Sequence, residues 1–187
     1  MKGLPKEVLQ PIRDDIESCP LSQEVMDTIN DPKTLKVLST TGEDGNPHTV
    51  FKSFLKALDK RTIVYVEMIF RSNTYKNMLR NKWANKRVSI TVWNPEKMLS
   101  YQIKAEPVVY LQNGPIWNEM LETVWSIFPE ATPAGAWVMV PKEIINELYQ
   151  VRQKEEDHRI LYSEIWRQYF GKRPKYPDFI LKKRDFT

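Results

Sequence analysis

The chain of 187 residues has only one cysteine and two histidines, and this scarcity excludes several kinds of site. With Cys19 alone, neither an internal disulfide nor a cysteine-based metal centre can form. His48 and His158 are too few for a histidine-rich metal site, because zinc sites take three or four protein ligands. We therefore predict no metal.

Glycine is also scarce, with residues only at positions 3, 42, 45, 114, 135 and 171. These positions cannot form a Gly-x-Gly-x-x-Gly or Walker-type loop, which excludes the usual phosphate-cradling loops. A nucleotide would have to be bound by side chains and a helix end. No Ser/His/Asp or Cys/His arrangement can be assembled, so the sequence assigns no catalytic residue.

Long apolar runs are missing, since no stretch approaches the roughly 18 residues that cross a bilayer. Residues 1–18 mix charges of both signs with scattered apolar residues, unlike a signal peptide. We therefore expect a cytoplasmic protein. The net charge of +4 is too balanced to favour a nucleic-acid binder, and the basic residues after position 171 are expected to be a solvated end.

The length suits a single domain with one sizeable core. We predict N-terminal helices within residues 1–31, a barrel core over 32–140 and a helical extension over 141–187. The first helices are expected at 5–18 and 22–30, with Ser22 as the N-cap of the second and Asp31-Pro32 ending it.

The pattern of the remaining segments predicts six short strands and four further helices. The strands are expected at 34–40, 48–58, 62–66, 87–93, 98–111 and 136–140, and the helices at 73–83, 116–127, 143–152 and 156–170. Pro107 should lie at an edge or bulge, and Pro141 is expected to begin a helix. Hairpin-like connections favour a small antiparallel barrel decorated with helices, an α+β fold.

The most polar segment precedes the helix at 73–83. It reads Arg71-Ser72-Asn73-Thr74-Tyr75-Lys76-Asn77. Cations are disfavoured at a helix N-terminus unless an anion lies there, and free N–H groups with hydroxyl donors bind phosphate. This predicts a phosphorylated ligand. The alternative is an ordinary N-cap at Ser72 or Asn73 with two solvated cations beside it.

Two other side chains have a structural and a functional interpretation. His48 follows the turn that opens a strand, where it could act as an acid or base or simply be structural. Glu67 closes an apolar strand, where it could contact a ligand near the helix or be a surface carboxylate. The six tryptophans are expected in the core or in a dimer interface.

Several short segments follow one another in a defined order between about residues 30 and 112. They are Val37-Leu38-Ser39-Thr40-Thr41, Glu43-Asp44-Gly45-Asn46-Pro47-His48, Thr62-Ile63-Val64-Tyr65-Val66, Thr74-Tyr75-Lys76-Asn77-Met78-Leu79 and Arg87-Val88-Ser89-Ile90-Thr91-Val92. In this order they resemble the flavin-binding split-barrel family, whose best-known class is pyridoxamine 5′-phosphate oxidase. The fourth segment stands against the family's Ser-x-Lys-x-x-x-Leu.

This resemblance implies a homodimer of six-stranded barrels with flavin mononucleotide (FMN) held at the dimer interface. The phosphate would be bound by the segment that contains Arg71, Ser72, Asn73, Thr74, Lys76 and Asn77, with Lys76 matching the family lysine. The flavin ring would lie along Phe51, Lys52 and Ser53 and near Val66 and Glu67. Gln102 matches a region that reaches the cofactor in relatives.

The sequence departs from the family pattern at three places. Residues 68–70 lengthen the loop before the phosphate segment, Ala105 replaces a common glycine, and the final substrate-contacting segment of a true oxidase is not recognisable in 150–187. Relatives include deazaflavin and haem binders and proteins without a cofactor. Three functions stay open: an FMN-dependent oxidoreductase, a split-barrel protein that binds a ligand without turnover, and an interaction module with an empty cleft.

Overall fold

The computed structural model describes residues 16–159. Most of the predicted first helix (5–18) lies outside this range, and the part that lies inside it, residues 16–18, is not helical. The basic C-terminal residues, and the predicted helix beyond residue 159, also lie outside the described residues.

The described chain contains four helices and seven strands. The helices are α1 (Gln23–Asn30), α2 (Asn73–Trp83), α3 (Pro115–Trp125) and α4 (Tyr149–Arg159). The strands are β1 (Leu35–Thr41), β2 (Pro47–Phe51), β3 (Leu55–Asp59), β4 (Thr62–Glu67), β5 (Val88–Asn94), β6 (Leu99–Leu111) and β7 (Gly135–Asn146).

The seven strands form one antiparallel sheet in the order β2-β1-β5-β6-β7-β4-β3. Its two edge strands follow each other in sequence, because β2 ends at Phe51 and β3 begins at Leu55. Four residues span at most about 14 Å, whereas a flat seven-stranded sheet would separate its edges by about 29 Å. The sheet therefore curls upon itself, and the predicted antiparallel split barrel with peripheral helices is confirmed.

The count of six strands is wrong by one, because the strand predicted over 48–58 is two strands. Just after β2, the Lys52 N–H still donates to the Lys36 carbonyl of β1. Two residues later, the Phe54 carbonyl already accepts from the Val66 N–H of β4. The segment between them is where the chain passes from one edge of the sheet to the other. A continuous polar and apolar alternation hides this change of partner.

The predicted start of the next helix at Pro141 is also wrong, because α4 begins only at Tyr149. β7 continues through Pro141 to Asn146 and pairs with β6 along its length. Pro141 faces Ala105 where the register of β6 and β7 shifts, and an irregular position tolerates a residue without an N–H. The other proline prediction is confirmed, since a second register shift lies between Pro107 and Val109.

The core is built on both faces of β4, whose six residues are all buried. Ile63 and Tyr65 face the barrel interior, which Trp137 and Ile103 help to fill. Val64 and Val66 face the opposite side, where α3 packs through Ile116, Trp117, Met120 and Val124. The two sides of this strand therefore belong to two different apolar clusters.

α1 begins as the sequence predicts. Ser22 is its N-cap and accepts a hydrogen bond from the Val25 N–H, and the helix ends before Asp31. The chain divides into two compact units with the boundary between Leu148 and Tyr149, so α4 belongs to the second unit. Among the described residues, no helix is long and apolar enough to cross a membrane.

Candidate functional site

The start of α2 has the N-cap that the sequence allowed. Ser72 adopts an extended backbone conformation, and its hydroxyl oxygen accepts a hydrogen bond of 3.0 Å from the Tyr75 N–H. One of the orphan donors of the first helical turn is therefore satisfied within the chain. The cap interpretation is confirmed, and phosphate binding has to be judged on the side chains around it.

The Glu67 carboxylate is turned into the protein, with an exposure of only 2%. It accepts hydrogen bonds from the Tyr65 hydroxyl (2.7 Å), the Ser72 hydroxyl (2.9 Å) and the Ile69 N–H (3.2 Å). No residue of the first turn of α2 is acidic, so Glu67 brings the negative charge to this end of the helix. The interpretation of Glu67 as a surface carboxylate is wrong.

Lys52 lies next to this carboxylate without touching it. Its ammonium donates to the Tyr65 hydroxyl over 2.7 Å and to the Thr74 hydroxyl over 3.2 Å. Burial lowers the pKa of Lys52, and the charge of Glu67 opposes that change. The pKa of Tyr65 is raised by burial and by Glu67, so its hydroxyl keeps its proton and donates a hydrogen bond to the carboxylate.

His48 extends this network to the surface, since its Nε2 lies 3.3 Å from the Thr74 hydroxyl. His48, Thr74, Lys52, Tyr65 and Glu67 therefore form one continuous chain of hydrogen bonds. Two strands and α2 meet here, because His48 belongs to β2, Tyr65 and Glu67 to β4, and Thr74 to the helix.

A cleft of about 620 Å³ opens between the β1–β2 turn and α2; we call it the polar cleft. Its lining consists of Gly42, Glu43, Asp44, Asn46, Pro47, His48, Asn73, Lys76, Asn77 and Arg80. The four α2 residues recur at helical spacing, which places them on one face.

The two cations of the polar cleft differ in their partners. The Arg80 guanidinium contacts the Glu43 carboxylate over 2.9 Å and the Asn77 side-chain oxygen over 3.1 Å. Lys76 makes no ion pair or hydrogen bond with any side chain that the structure describes. Its ammonium is therefore available to an anion in the cleft.

A second depression of about 220 Å³, which we call the ring pocket, is lined by Lys52, a hydrogen-bond partner of Thr74. Its lining consists of Phe51, Lys52, Ser53, Phe54, Tyr65, Val66, Glu67, Met68 and Ile69. Phe51 and Ile69 are 72% and 68% exposed, so an apolar rim surrounds a floor that carries Lys52 and Glu67. Such a pocket suits a flat group that is apolar on its faces and polar at its edge.

Comparison with protein-family models identifies the fold around these two depressions. The model described as pyridoxamine 5′-phosphate oxidase matches residues 21–147, which include every element that lines the polar cleft and the ring pocket. The chain belongs to the pyridoxamine 5′-phosphate oxidase family. Comparison with curated proteins finds no match.

Solved structures support this membership of the pyridoxamine 5′-phosphate oxidase family at the level of fold. Group A Streptococcus HupZ matches with a TM-score of 0.58 and 19% identity, covering 69% of this chain and 95% of HupZ. An FMN-binding protein from Syntrophomonas wolfei gives 0.55 and 17%, covering 76% and 92%. An F420 reductase gives 0.52 and 15%, covering 66% and 98%.

The structure sorts the twelve residues predicted for the site into groups. Asn73, Lys76 and Asn77 line the polar cleft, and Phe51, Lys52, Ser53, Val66 and Glu67 line the ring pocket. Ser72 and Thr74 line neither depression, but they make hydrogen bonds to Glu67 and Lys52 of the ring pocket. Ten of the predicted residues are thus brought together by this pyridoxamine 5′-phosphate oxidase fold.

Arg71 and Gln102 are not part of this arrangement. Arg71 has a positive φ of 57°, and its guanidinium lies over the Phe70 ring at 5.3 Å, away from both linings. Gln102 shares a cross-strand row with Phe51 through Thr91 and Val37. Three strand spacings separate them, which amounts to about 14 Å.

Arg80, Glu43 and Tyr65 are among the site residues that sequence reasoning missed. Arg80 could have been found, because it lies four residues after Lys76 and therefore on the same helical face. Glu43 lies in a segment that carries the family resemblance. Its ion pair with Arg80 could not be predicted, because the two residues are far apart in sequence. Nothing in the sequence singles out Tyr65, because it lies in a mostly apolar strand and the pattern does not show that its hydroxyl bonds to Lys52 and Glu67.

Proposed function

We propose that the chain binds FMN and is an oxidoreductase that acts on a small molecule. The observation that carries this proposal is the unpartnered Lys76 ammonium, which lies in a polar cleft beside an apolar-rimmed pocket. The two depressions offer what the two halves of FMN need, since one half is a phosphate dianion and the other a flat ring system. Membership of the pyridoxamine 5′-phosphate oxidase family supports the same cofactor.

The phosphate would be held in the polar cleft, one turn into α2, by Lys76, Asn73 and Arg80. The extreme start of the helix is less suitable, because Ser72 is engaged and the Glu67 carboxylate already lies against it. A second anion at that point would be repelled. Arg80 would have to share its guanidinium between the phosphate and Glu43, which is a surface group that can move away.

The ring would be held in the ring pocket by Phe51, Lys52, Ser53 and Val66. A bound flavin supplies the capacity to take up and release a hydride or electrons, and the protein supplies binding, orientation and electrostatics. In this chain Lys52 brings a positive charge to the floor of the pocket, and Phe51 and Ile69 reduce the access of water at its rim. His48 connects the network to the polar cleft and is our candidate for proton exchange with solvent.

The alternative is a protein that binds a flavin or a deazaflavin without turnover. One observation favours it, since Glu67, Tyr65, Thr74 and Lys52 bond to one another and none of them is left as an obvious proton donor to a substrate. Bleaching of the bound flavin by a reduced nicotinamide, followed by recovery of the colour in air, would support the oxidoreductase. Binding without bleaching by any donor would support the alternative.

We expect FMN to bind at one molecule per chain and about tenfold to a hundredfold more tightly than riboflavin, because only FMN presents a dianion to Lys76. A charge-assisted hydrogen bond contributes roughly 1.5–3 kcal/mol, which corresponds to this ratio. Fluorescence titration of each flavin with micromolar apoprotein measures both affinities. If neither flavin is quenched, the cofactor proposal fails; flavin adenine dinucleotide should bind more weakly than FMN.

We also propose a homodimer with the site near the subunit interface. Trp137 and Trp117 give no support to this interface, because the single chain buries both side chains, whereas Trp125 is 45% exposed. The support comes from Phe51 and Ile69, two large apolar side chains that remain exposed at the rim of the ring pocket. A cytoplasmic location stays a prediction from the sequence.

Dimerisation and FMN binding should be linked, because a ligand that binds the assembled state stabilises it. We expect light scattering at low micromolar concentration to show a dimer, and FMN should lower the dissociation constant of that dimer. A monomer with undiminished FMN affinity would contradict both the interface and its place beside the ring pocket.

A further inference from the structure

We propose that Glu67 is a positioning residue that acts through the Tyr65 hydroxyl to keep Lys52 a charged ammonium aimed into the ring pocket. This inference rests on the proposed function for the identity of the ligand, but its structural part concerns the chain alone. Glu67 was predicted to contact the cofactor. The structure instead directs its carboxylate to three donors of the chain itself.

The hydrogen bonds between Glu67 and Lys52 have one consistent direction. A carboxylate only accepts hydrogen bonds, so the Tyr65 hydroxyl must be the donor to Glu67. The Tyr65 oxygen is then left to accept from Lys52, and both contacts are 2.7 Å long. Short contacts of this length are typical of charge-assisted bonds. Tyr65 is therefore a bridge that orients the ammonium while it keeps the two charges apart.

The electrostatic effect follows from the distance across this bridge. Two contacts of 2.7 Å in series keep the charges of Lys52 and Glu67 within about 5.4 Å of each other. An opposite charge at about 4–6 Å favours the charged form of a buried amine, which burial by itself disfavours. The lowered pKa of Lys52 thus combines a larger downward effect of burial with a smaller upward effect of the Glu67 charge.

No other carboxylate serves as the counter-ion of Lys52 among the groups that the structure describes around it. Tyr65 on β4 and Tyr110 on β6 are neutral near pH 7, since burial and Glu67 raise the pKa of Tyr65 and burial raises that of Tyr110 to about 12. Thr74 on α2 is uncharged, and His48 on β2 reaches Lys52 only through Thr74. Loss of the Glu67 charge should therefore leave Lys52 without electrostatic compensation.

A purely structural role for Glu67 is the competing explanation, because the carboxylate also binds the Ile69 N–H and the Ser72 hydroxyl. The test consequently measures the protonation of Lys52 itself. We would follow the side-chain ¹³C NMR signals of ¹³C-lysine in the full chain from pH 6 to 11, with Lys52→Arg to assign the signal.

Three variants separate the explanations. Glu67→Gln removes the charge, Tyr65→Phe removes the bridge, and Ser72→Ala removes a different hydrogen bond to the same carboxylate. We expect the titration midpoint of Lys52 to fall most in Glu67→Gln, less in Tyr65→Phe, and not in Ser72→Ala. If Glu67→Gln does not fold, the Lys52 midpoints of Tyr65→Phe and Ser72→Ala are compared instead. A fall in Tyr65→Phe alone would support the inference.

An unchanged midpoint in folded Glu67→Gln would overturn the inference, as would equal falls in Tyr65→Phe and Ser72→Ala. The pH dependence of FMN affinity then tests the functional part: affinity should be lost at a lower pH in Glu67→Gln than in the unaltered chain. A lowered midpoint with an unchanged FMN profile would overturn that part. Failure of the unaltered chain to bind FMN would refute the proposed function, while the lysine titration would still judge Glu67.

Discussion

Replacement of Lys76 by alanine is expected to weaken FMN binding by about tenfold to a hundredfold and to leave riboflavin binding nearly unchanged. Lys76 has no polar partner among the described side chains, so its removal breaks no hydrogen bond or ion pair there. What is lost is a charge-assisted bond of roughly 1.5–3 kcal/mol to the phosphate. Paired titrations of FMN and riboflavin measure the effect.

Arg71→Ala is the matched control, because it removes the same charge from the same segment. Arg71 lies over Phe70 and outside the polar cleft, so we expect little change for either flavin. The sequence alone placed both Arg71 and Lys76 in the segment expected to bind the phosphate. Losses of equal size in Arg71→Ala and Lys76→Ala would place the phosphate elsewhere. Equal losses for FMN and riboflavin in Lys76→Ala would mean that this lysine acts through the fold or the ring.

The elements that the sequence predicts well are those whose signals are local. Ser72 caps α2 and Ser22 caps α1 because a hydroxyl before an amphipathic run satisfies the nearest orphan N–H groups. β5 alternates between buried and half-buried residues, as its period-two pattern predicts. None of these features depends on a distant part of the chain.

The predicted strand and helix boundaries are wrong where pairing with a strand distant in sequence determines the structure. Residues 52–54 look like the middle of a strand, yet the closure of the barrel makes them a crossing between its edges. Pro141 looks like the start of a helix, yet β6 offers an irregular position that tolerates it within β7. Propensity is outweighed in both places by pairing that no local window contains.

The same distinction applies to the site. Lys76 and Asn73 could be predicted together because one helix face carries both. The bond from Tyr65 to Glu67 and the ion pair of Arg80 with Glu43 could not, because a folded barrel is needed to bring those groups together. Arg71 lies outside both linings and has a positive φ just before the helix, and a sequence of residue types does not show where such a turn directs the side chain.

Trp137→Ala should cause the largest loss of stability among the substitutions considered, roughly 3–5 kcal/mol of the free energy of unfolding. Trp137 is 0% exposed, and its ring lies 5.1 Å from the Tyr110 ring and 6.2 Å from the Tyr75 ring. Alanine would leave a cavity at the centre of the barrel that rigid strands on both sides cannot close. Chemical denaturation at a fixed protein concentration measures the change, since dimerisation would make stability depend on concentration.

Trp83→Ala provides the matched control, because Trp83 is 84% exposed at the end of α2 and its loss should change stability by no more than about 0.5 kcal/mol. Trp137→Phe refines the test. The indole N–H of Trp137 has no hydrogen-bond partner among the described residues, so phenylalanine removes an unsatisfied donor while it keeps an aromatic ring in the core. Its loss should therefore be well below that of alanine. Losses of similar size in Trp83→Ala and Trp137→Ala would contradict the placement of Trp137 in the barrel core.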